Sequence, residues 1–538
     1  MTPVVDLLGE PGTGPARSRR PVYLDHLPPC NQACPAGENV QSWLAHAQAG
    51  EYREAWLQLV EDNPLPAVCG RVCYHPCETR CNRGDLDTAV GIHAVERYLG
   101  DIAAREGWRF PVGAVTGNRV LVIGAGPCGL SAAYHLARIG HTVEIRDSGS
   151  LPGGMLHFGI PAYRLPREEL MREIARIEAM GVRIIPDHTV SDVLAEKEEG
   201  CFDAVLLAIG AQLDHRIDIP ARDASRVMTA LRFLRGIEEA NLPKIGRRVI
   251  VYGGGDTAMD VARSARRLGA TDPLIVYRRD RQHLRAHDFE LQEALIEGVR
   301  VRWLSTIRSI DNGEVLVEEM RLDENGVPQP TGKTERLDAD SVVLALGERT
   351  DSTFLRAVRD IELADDDSVV VDQDLMTGHA GIFAGGDVTP GERSVTIAIG
   401  HGKRVARTID RWLKDARSFP VLKHPSVTYE MMHLPLYSDV QPKTETQAPI
   451  AERLDDFRET VATLSEAHAR YEAQRCLSCG NCFECDQCYA ACPEHAVIKL
   501  GSGKRYRIDY TRCTGCAICF EVCPPRAIEM IPEPRRAS

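Results

Sequence analysis

The sequence predicts a multidomain α/β protein with a small cysteine-rich unit at each end. Three observations carry this reading. The chain has 538 residues, which at roughly 100–200 residues per domain gives about three to five domains. From Arg119 onward, short apolar runs alternate with helical stretches: RVLVIGAG, HTVEIRD, FDAVLLAIG, RRVIVYGGG, DPLIVYRR, SVVLALG and GIFAGGD. That alternation is the pattern of parallel sheets covered by helices. Of the 18 cysteines, six lie from Cys30 to Cys81 and ten from Cys476 to Cys523, with only Cys128 and Cys201 between.

Composition narrows the class. Charged residues are 26% and hydrophobic residues 43%, as in an ordinary globular protein. A formal charge of −13 argues against nucleic acid as the main partner, which would need basic stripes. No run of about 18 apolar residues occurs, so no transmembrane helix is expected. The opening stretch is broken by Asp6, Glu10, Gly and Pro and does not read as a signal peptide. Disulfide scaffolds are short and secreted. Clustered thiols in a chain this long, with no export signal, read instead as metal ligands in a reducing cytoplasm.

In chain order, residues 1–20 are Pro/Gly/Arg-rich and read as a flexible tail. Residues 21–115 read as a small helical metal domain, with Trp43, Leu44, Ala47, Tyr52, Trp56 and Leu59 at helical spacing. Residues 116–245 and 346–420 form one α/β unit in two parts, around a second at 246–345. Residues 421–475 read as a linker that becomes helical towards its end. Residues 476–538 are cysteine-dense, in two similar halves.

Each α/β unit opens on a Rossmann-like dinucleotide motif. In the first, a strand enters Gly124-x-Gly126-x-x-Gly129, a helix follows, and Asp147 ends the next strand, 23 residues beyond Gly124. Gly124 permits the tight turn, Gly126 lets the backbone approach a pyrophosphate, and Gly129 lets helix and strand pack closely. The helix N-terminus faces the phosphates, and Asp147 can accept from a ribose 2′-hydroxyl. In the second, Gly253-x-Gly255-Asp256-x-Ala258 stands between strand and helix, and the following strand ends in Tyr277-Arg278-Arg279. Arginine there suits a 2′-phosphate, so NADP(H) is favoured over NAD(H), and Arg285 can join the same pocket. The alternative is a solvated basic loop.

A later segment, Gly385-Gly386-Asp387 followed by an apolar helix, resembles the flavin-closing segment of two-dinucleotide-fold flavoproteins. By that resemblance the first fold holds FAD, with Gly153, Gly154 and Met155 beside it and Asp387 on the ribityl chain or pyrophosphate, while the inserted fold holds the nicotinamide. The flavin fold has no Cys-x-x-Cys or Cys-x4-Cys pair, which argues against a disulfide reductase. Cys128 and Cys201 read as small packed side chains.

Cys482-x2-Cys485-x2-Cys488-x3-Cys492-Pro is followed by Cys513-x2-Cys516-x2-Cys519-x3-Cys523-Pro. This is the run of two-cluster bacterial ferredoxins, so the end of the chain reads as an α+β ferredoxin-like domain. In that run three cysteines of one half and the last of the other hold each [4Fe–4S] cluster. Cys482, Cys485, Cys488 and Cys523 make one set, and Cys513, Cys516, Cys519 and Cys492 the other. Zinc needs four ligands per metal but has no use for the duplicated pattern with Pro after each last cysteine. The pair Cys476 and Cys479 is surplus to this run.

At the other end stand Cys30-x3-Cys34-Pro and Cys69-x3-Cys73-x3-Cys77-x3-Cys81. With CNQACPAGENVQSWL, LPAVCGRVCYHPCETRC, GIHAVERYLGD, PGGMLHFGIPAYRLP, YGGGDTAMD, YRRD and FAGGD, the chain over residues 21–415 resembles the small (β) subunit of NADPH-dependent glutamate synthase and its relatives. These include the N-terminal half of dihydropyrimidine dehydrogenase and the NAD(P)H:acceptor oxidoreductase associated with sulfite reductase. The resemblance implies two N-terminal [4Fe–4S] clusters. One takes Cys34, Cys73, Cys77 and Glu96. The other takes Cys30, Cys81 and an upstream Cys-x-x-Cys pair that this chain lacks, while it carries a similar string at Arg475-Cys476-Leu477-Ser478-Cys479-Gly480. Cys476 and Cys479 are therefore expected to fold back and complete that set. The alternatives are an absent cluster, or ligation by Cys69, His26 or His75. Cys69 is otherwise structural. The total is about four [4Fe–4S] clusters.

The resemblance implies an NAD(P)H:acceptor oxidoreductase, or a subunit of one, moving electrons between NAD(P)H, FAD and clusters. Its partner would be ferredoxin or a low-potential enzyme such as a 2-oxoacid:ferredoxin oxidoreductase or a sulfite-reductase-like enzyme. A glutamate synthase small subunit and a non-enzymatic iron–sulfur adaptor are the alternatives. The sequence leaves oligomeric state and direction open.

Overall fold

The computed structural model describes residues 17–109, 112–214, 219–220, 227–311, 313–416, 425–435, 437–501 and 503–534. Two five-stranded parallel sheets carry the middle of the chain. The first runs Ile382–Ala384, Ala204–Leu207, Arg119–Ile123, Thr142–Arg146 and Arg183–Ile185. Its central strands are apolar at nearly every position because both faces are covered. Helices Pro127–Ile139 and Val395–Leu413 pack on each other across it.

The second sheet runs Arg300–Arg302, Asp272–Val276, Arg248–Tyr252, Ser341–Leu344 and Val227–Thr229. An antiparallel sheet of Ser305–Asp311, Glu314–Leu322 and Pro328–Asp338 shares a core with it. This unit is inserted between two neighbouring strands of the first sheet. Its first strand is Val227–Thr229, so the insertion begins before residue 246, where the sequence placed it. A three-residue strand offers no alternation to read.

The N-terminal unit is helical. Trp43, Leu44, Ala47, Trp56 and Leu59 are buried, with Tyr52 at the margin. Gly50, at φ +82°, ends helix Val40–Ala49 before helix Tyr52–Val60 begins. Helices Pro66–Val72 and Ile92–Glu106 cross so closely that a Cβ on Gly70 would lie 2.5 Å from Arg97 Cα, and one on Gly100 2.4 Å from the Ala67 nitrogen.

The first and last described strands meet. Strand Arg19–Tyr23 pairs antiparallel with Ile528–Pro532. Residues 17–20 are thus not a free tail, because their backbone satisfies an otherwise open sheet edge; residues 1–16 of that expected tail lie outside the described residues. Nor is 425–475 a linker. Leu464, Ala469 and Ala473 enter the core of Trp43 and Trp56, and helix Glu466–Gln474 lies against helix Val40–Ala49. Its few apolar positions disguise this in the sequence. The C-terminal unit is α+β, with short helices Gln487–Ala491 and Ile518–Glu521 and a strand pair Val497–Lys499 with Tyr506–Ile508. Among the described residues no helix is long and apolar enough to cross a membrane.

Candidate functional site

The first glycine turn sits at the C-terminal end of strand Arg119–Ile123, with Gly126 as the N-cap of helix Pro127–Ile139. Gly124 takes φ +108°, and its N–H donates to the Arg146 carbonyl. A Cβ on Gly129 would lie 2.0 Å from the Gly124 carbonyl oxygen, so only glycine lets helix and strand approach this closely. A Cβ on Gly126 would meet no atom within 4 Å. The turn is filled on its inner side and open on its outer side, as a cradle for a dinucleotide pyrophosphate requires. Asp147 lies beside it, its carboxylate accepting from the Ala125 N–H at 2.6 Å and the Gly149 N–H at 2.7 Å. Each oxygen keeps a lone pair for a ribose hydroxyl. The Gly153–Gly154 turn closes on the same loop: Gly153 N–H donates to the Ala125 carbonyl, and a Cβ on Gly154 would sit 3.0 Å from Gly126 Cα. Met155 opens the short helix that follows.

Gly385, Gly386 and Asp387 reach this site from the far strand. Cβ atoms on Gly385 and Gly386 would crowd Cys128, at 3.1 Å from Sγ and 2.9 Å from Cβ. Cys128 is accordingly a buried packing residue beneath that turn. Cys201 is not packed: it is exposed, on a left-handed turn at φ 50° ahead of strand Ala204–Leu207. Burial raises the Asp387 carboxyl above its ordinary range, with Arg393 opposing.

The second turn repeats the design. Gly255 caps helix Asp256–Arg267, a Cβ there would meet nothing within 4 Å, and Ala258 is fully buried. A Cβ on Gly253 would lie 2.0 Å from the Ala345 carbonyl oxygen. The N–H groups of Arg285 and Ala286 donate to the Gly254 carbonyl, which brings the loop after the second strand over the turn. Arg278 and Arg285 are exposed and Arg279 half-buried, and among the described residues none of the three forms an ion pair. Asp256 turns the other way, accepting from the His287 N–H at 2.9 Å and facing its ring nitrogen at 3.1 Å.

The cysteines fall into four groups. Cys30, Cys81, Cys476 and Cys479 line one small cavity, with Asn82 Nδ2 donating to the Cys479 sulfur at 3.5 Å. The segment bearing the last two is anchored by Arg475, 3% exposed, which bonds Asp87, Thr88, Ala89 and Glu472. His26 N–H donates to the Gly480 carbonyl, and the His26 ring faces Glu529 rather than this cavity. Cys34, Cys73 and Cys77 gather near Glu96, and Thr396 Oγ1 donates to the Cys73 sulfur at 3.1 Å. Glu96 is 6% exposed and accepts from Asn63 Nδ2 at 2.9 Å; the same amide donates to Glu38 at 3.0 Å. Burial raises the carboxyls of both, Glu38 to about 7. Cys69 is buried in the neighbouring apolar core.

In the C-terminal unit, Cys523 shares its surroundings with Cys482, Cys485 and Cys488, while Cys492, Cys513, Cys516 and Cys519 line a second cavity. Burial pushes the thiols of Cys73, Cys476, Cys519 and Cys523 up to about 12. The soft, densely grouped sulfur donors fit iron–sulfur clusters, which bind them as thiolates.

Glu38, Asn63 and Thr396 escaped sequence reasoning; the only hint was the place of Glu38 four residues beyond Cys34. A further group, His75, Glu78 and His93, lies within coordinating range. His93 is held between Glu78 at 2.8 Å and Glu445 at 3.3 Å. Burial lowers its pKa, but the carboxylates outweigh it and push it up to about 10. As an imidazolium it has no lone pair for a metal.

Nested dinucleotide folds with thiol sets at both ends define an oxidoreductase that carries FAD and iron–sulfur clusters and works with NAD(P)H. Residues 118–402 match the pyridine nucleotide-disulphide oxidoreductase family, residues 19–108 the dihydropyrimidine dehydrogenase domain II 4Fe-4S family, and residues 469–530 the 4Fe-4S dicluster domain family. The chain belongs to the pyridine nucleotide-disulphide oxidoreductase family. It is 35% identical to the NADP(+)-dependent formate dehydrogenase subunit beta of Moorella thermoacetica, over 87% of this chain and 73% of that one. It is 31% identical to the NADPH-Fe(3+) oxidoreductase subunit beta of Geobacter sulfurreducens, over 85% and 76%. It is 33% identical to the glutamate synthase [NADPH] small chain of Escherichia coli, over 72% and 89%.

Proposed function

We propose that this chain is the NADPH-side electron-transfer subunit of a larger cytoplasmic redox enzyme, exchanging electrons with a partner subunit or ferredoxin through four [4Fe–4S] clusters. When bound, FAD takes a hydride and exchanges its electrons singly with the clusters. The protein's own residues do the rest. Gly126 and the helix after it receive the FAD pyrophosphate, with Asp147 on its ribose and Gly386 and Asp387 closing over it. Gly255 and its helix receive the nicotinamide dinucleotide, with Arg278, Arg279 and Arg285 on a 2′-phosphate.

The observation that carries the reading is the order of the thiol groups. Thr396, on the helix that follows Asp387, touches Cys73. The short helix Pro76–Thr79 joins Cys77 of the first group to Cys81 of the second. Two residues separate Cys479 of the second group from Cys482 of the third. Cys488 and Cys519 share one core between the third and fourth. Cys516, in the fourth, is exposed. Such a row would lead from the turn that Gly386 and Asp387 form, where flavin would be held, to the exposed Cys516. The names of the formate dehydrogenase and iron-reducing relatives, both beta subunits, support a partner subunit and NADP(H).

Anaerobic addition of NADPH should bleach flavin and cluster absorbance together, and NADH should do so less. No bleaching with either nucleotide would sink the reading.

A further inference from the structure

We propose that Tyr23 sets the reduction potential of the cluster held by Cys482, Cys485, Cys488 and Cys523, through a hydroxyl hydrogen bond to the Cys488 sulfur; this rests on the ligand reading above. The Tyr23 oxygen lies 3.2 Å from Cys488 Sγ. A metal-bound thiolate can only accept, so the phenol donates. The ring lies against the apolar, cysteine-lined core of the C-terminal unit and stacks on Tyr506, with centroids 6.2 Å apart and planes 21° apart. The Tyr506 hydroxyl is engaged elsewhere: it donates to Asp486 at 2.6 Å and accepts the Asp486 N–H at 3.0 Å. The Ala527 N–H donates to the Cys523 sulfur of the same group at 3.3 Å.

Tyr23 comes from the opposite end of the sequence. It is the last residue of strand Arg19–Tyr23, where the ladder to Ile528 fixes its backbone. Its position is therefore held on three sides, by the ladder, the stack and the sulfur. Reduction adds negative charge that spreads over the sulfurs. A donor proton aimed at one sulfur stabilises the reduced form more than the oxidised form and raises the potential. Tyr23 is half-buried and Cys488 only 6% exposed, so the donor meets a largely covered sulfur.

The test is a redox titration of the whole chain followed by electron paramagnetic resonance, comparing wild type with Tyr23→Phe, which keeps the ring and the stack. One cluster should shift to lower potential while the others hold theirs, with iron per chain unchanged. Tyr506→Phe, which removes no sulfur bond, should leave all potentials in place. In deuterated buffer the wild type should show an exchangeable deuteron coupled to that cluster, absent in Tyr23→Phe. Unmoved potentials, a shift shared by all clusters, or iron loss in Tyr23→Phe would overturn the proposal, the last because it makes the hydroxyl structural. Cys488→Ser separates this from the ligand reading: if iron per chain does not fall in that variant, the ligand assignment itself has failed.

Discussion

Tyr74 and His287 stack face to face, with ring centroids 3.6 Å apart and planes within 9°. Tyr74 directly follows Cys73, whose sulfur Thr396 contacts. His287 bonds Asp256, the first residue of the second nucleotide helix. One ring pair therefore joins the neighbour of a proposed cluster ligand to the turn proposed to receive the nicotinamide nucleotide. Beside it, Arg164 meets Asp260 at 2.7 Å and Glu290 at 2.5 Å, all nearly buried. The inserted unit is clamped onto both of its neighbours.

That clamp predicts a stability cost. In Arg164→Met the buried Asp260 loses its cation and Glu290 keeps only Arg263, at 3.3 Å, and removing one partner of a buried pair costs about 3–5 kcal/mol. Urea unfolding followed by flavin release should begin at clearly lower urea than in wild type. An unchanged midpoint would show that the pair contributes nothing across this boundary.

The fold-back set predicts an iron count. Replacing Cys476 and Cys479 with Ser should remove one cluster, about four irons per chain, and leave the ferredoxin-type signals in place. Iron lost only from the ferredoxin-type clusters would show that the pair does not serve Cys30 and Cys81.

The arginines predict a selective loss. A charge-assisted hydrogen bond is worth about 1.5–3 kcal/mol, and each 1.4 kcal/mol is about tenfold. Arg278→Ala with Arg279→Ala should raise KM for NADPH roughly 10–100-fold and leave KM for NADH nearly unchanged. Equal changes for both nucleotides would remove the 2′-phosphate from the account.

Two of the three glycines of the first turn predict different failures. Gly129→Ala puts a methyl group against the Gly124 carbonyl, and overpacking of this kind costs about 1–3 kcal/mol. It should lower the melting temperature. Gly126→Ala meets no protein atom and should fold as wild type while losing flavin. Circular dichroism melts and the flavin-to-protein ratio distinguish the two. Full flavin in Gly126→Ala would place the pyrophosphate elsewhere.

The glycine turns and the cysteine runs were legible because their chemistry is local: a strand, a turn and a helix, or three thiols within seven residues, need no distant partner. What escaped the sequence is non-local. Asn63 donates to both Glu38 and the expected ligand Glu96, 25 and 33 residues away, and no spacing records such a bridge. Strand Arg19–Tyr23, with two arginines and a proline in five residues, looks like a tail until Ile528–Pro532 lies beside it. Cys201 was misjudged because proximity to a strand says nothing of which side of a turn a residue occupies. The fold-back of Cys476 and Cys479 was legible only as a mismatch between the two ends, a missing pair and a spare one.

The strand pairing between Arg19–Tyr23 and Ile528–Pro532 also orders events in time. Synthesis proceeds at about 5–20 residues per second, so Tyr23 waits on the order of tens of seconds for the strand that fixes it. Cys30 and Cys81 emerge equally early, and Cys476 and Cys479 late. During translation the first-made end is a set of half-built pockets with reactive thiols exposed to oxygen and stray metal. The segments that close them are made only later, so a chain interrupted before Cys476 can keep its nucleotide folds while holding an open, oxidisable start.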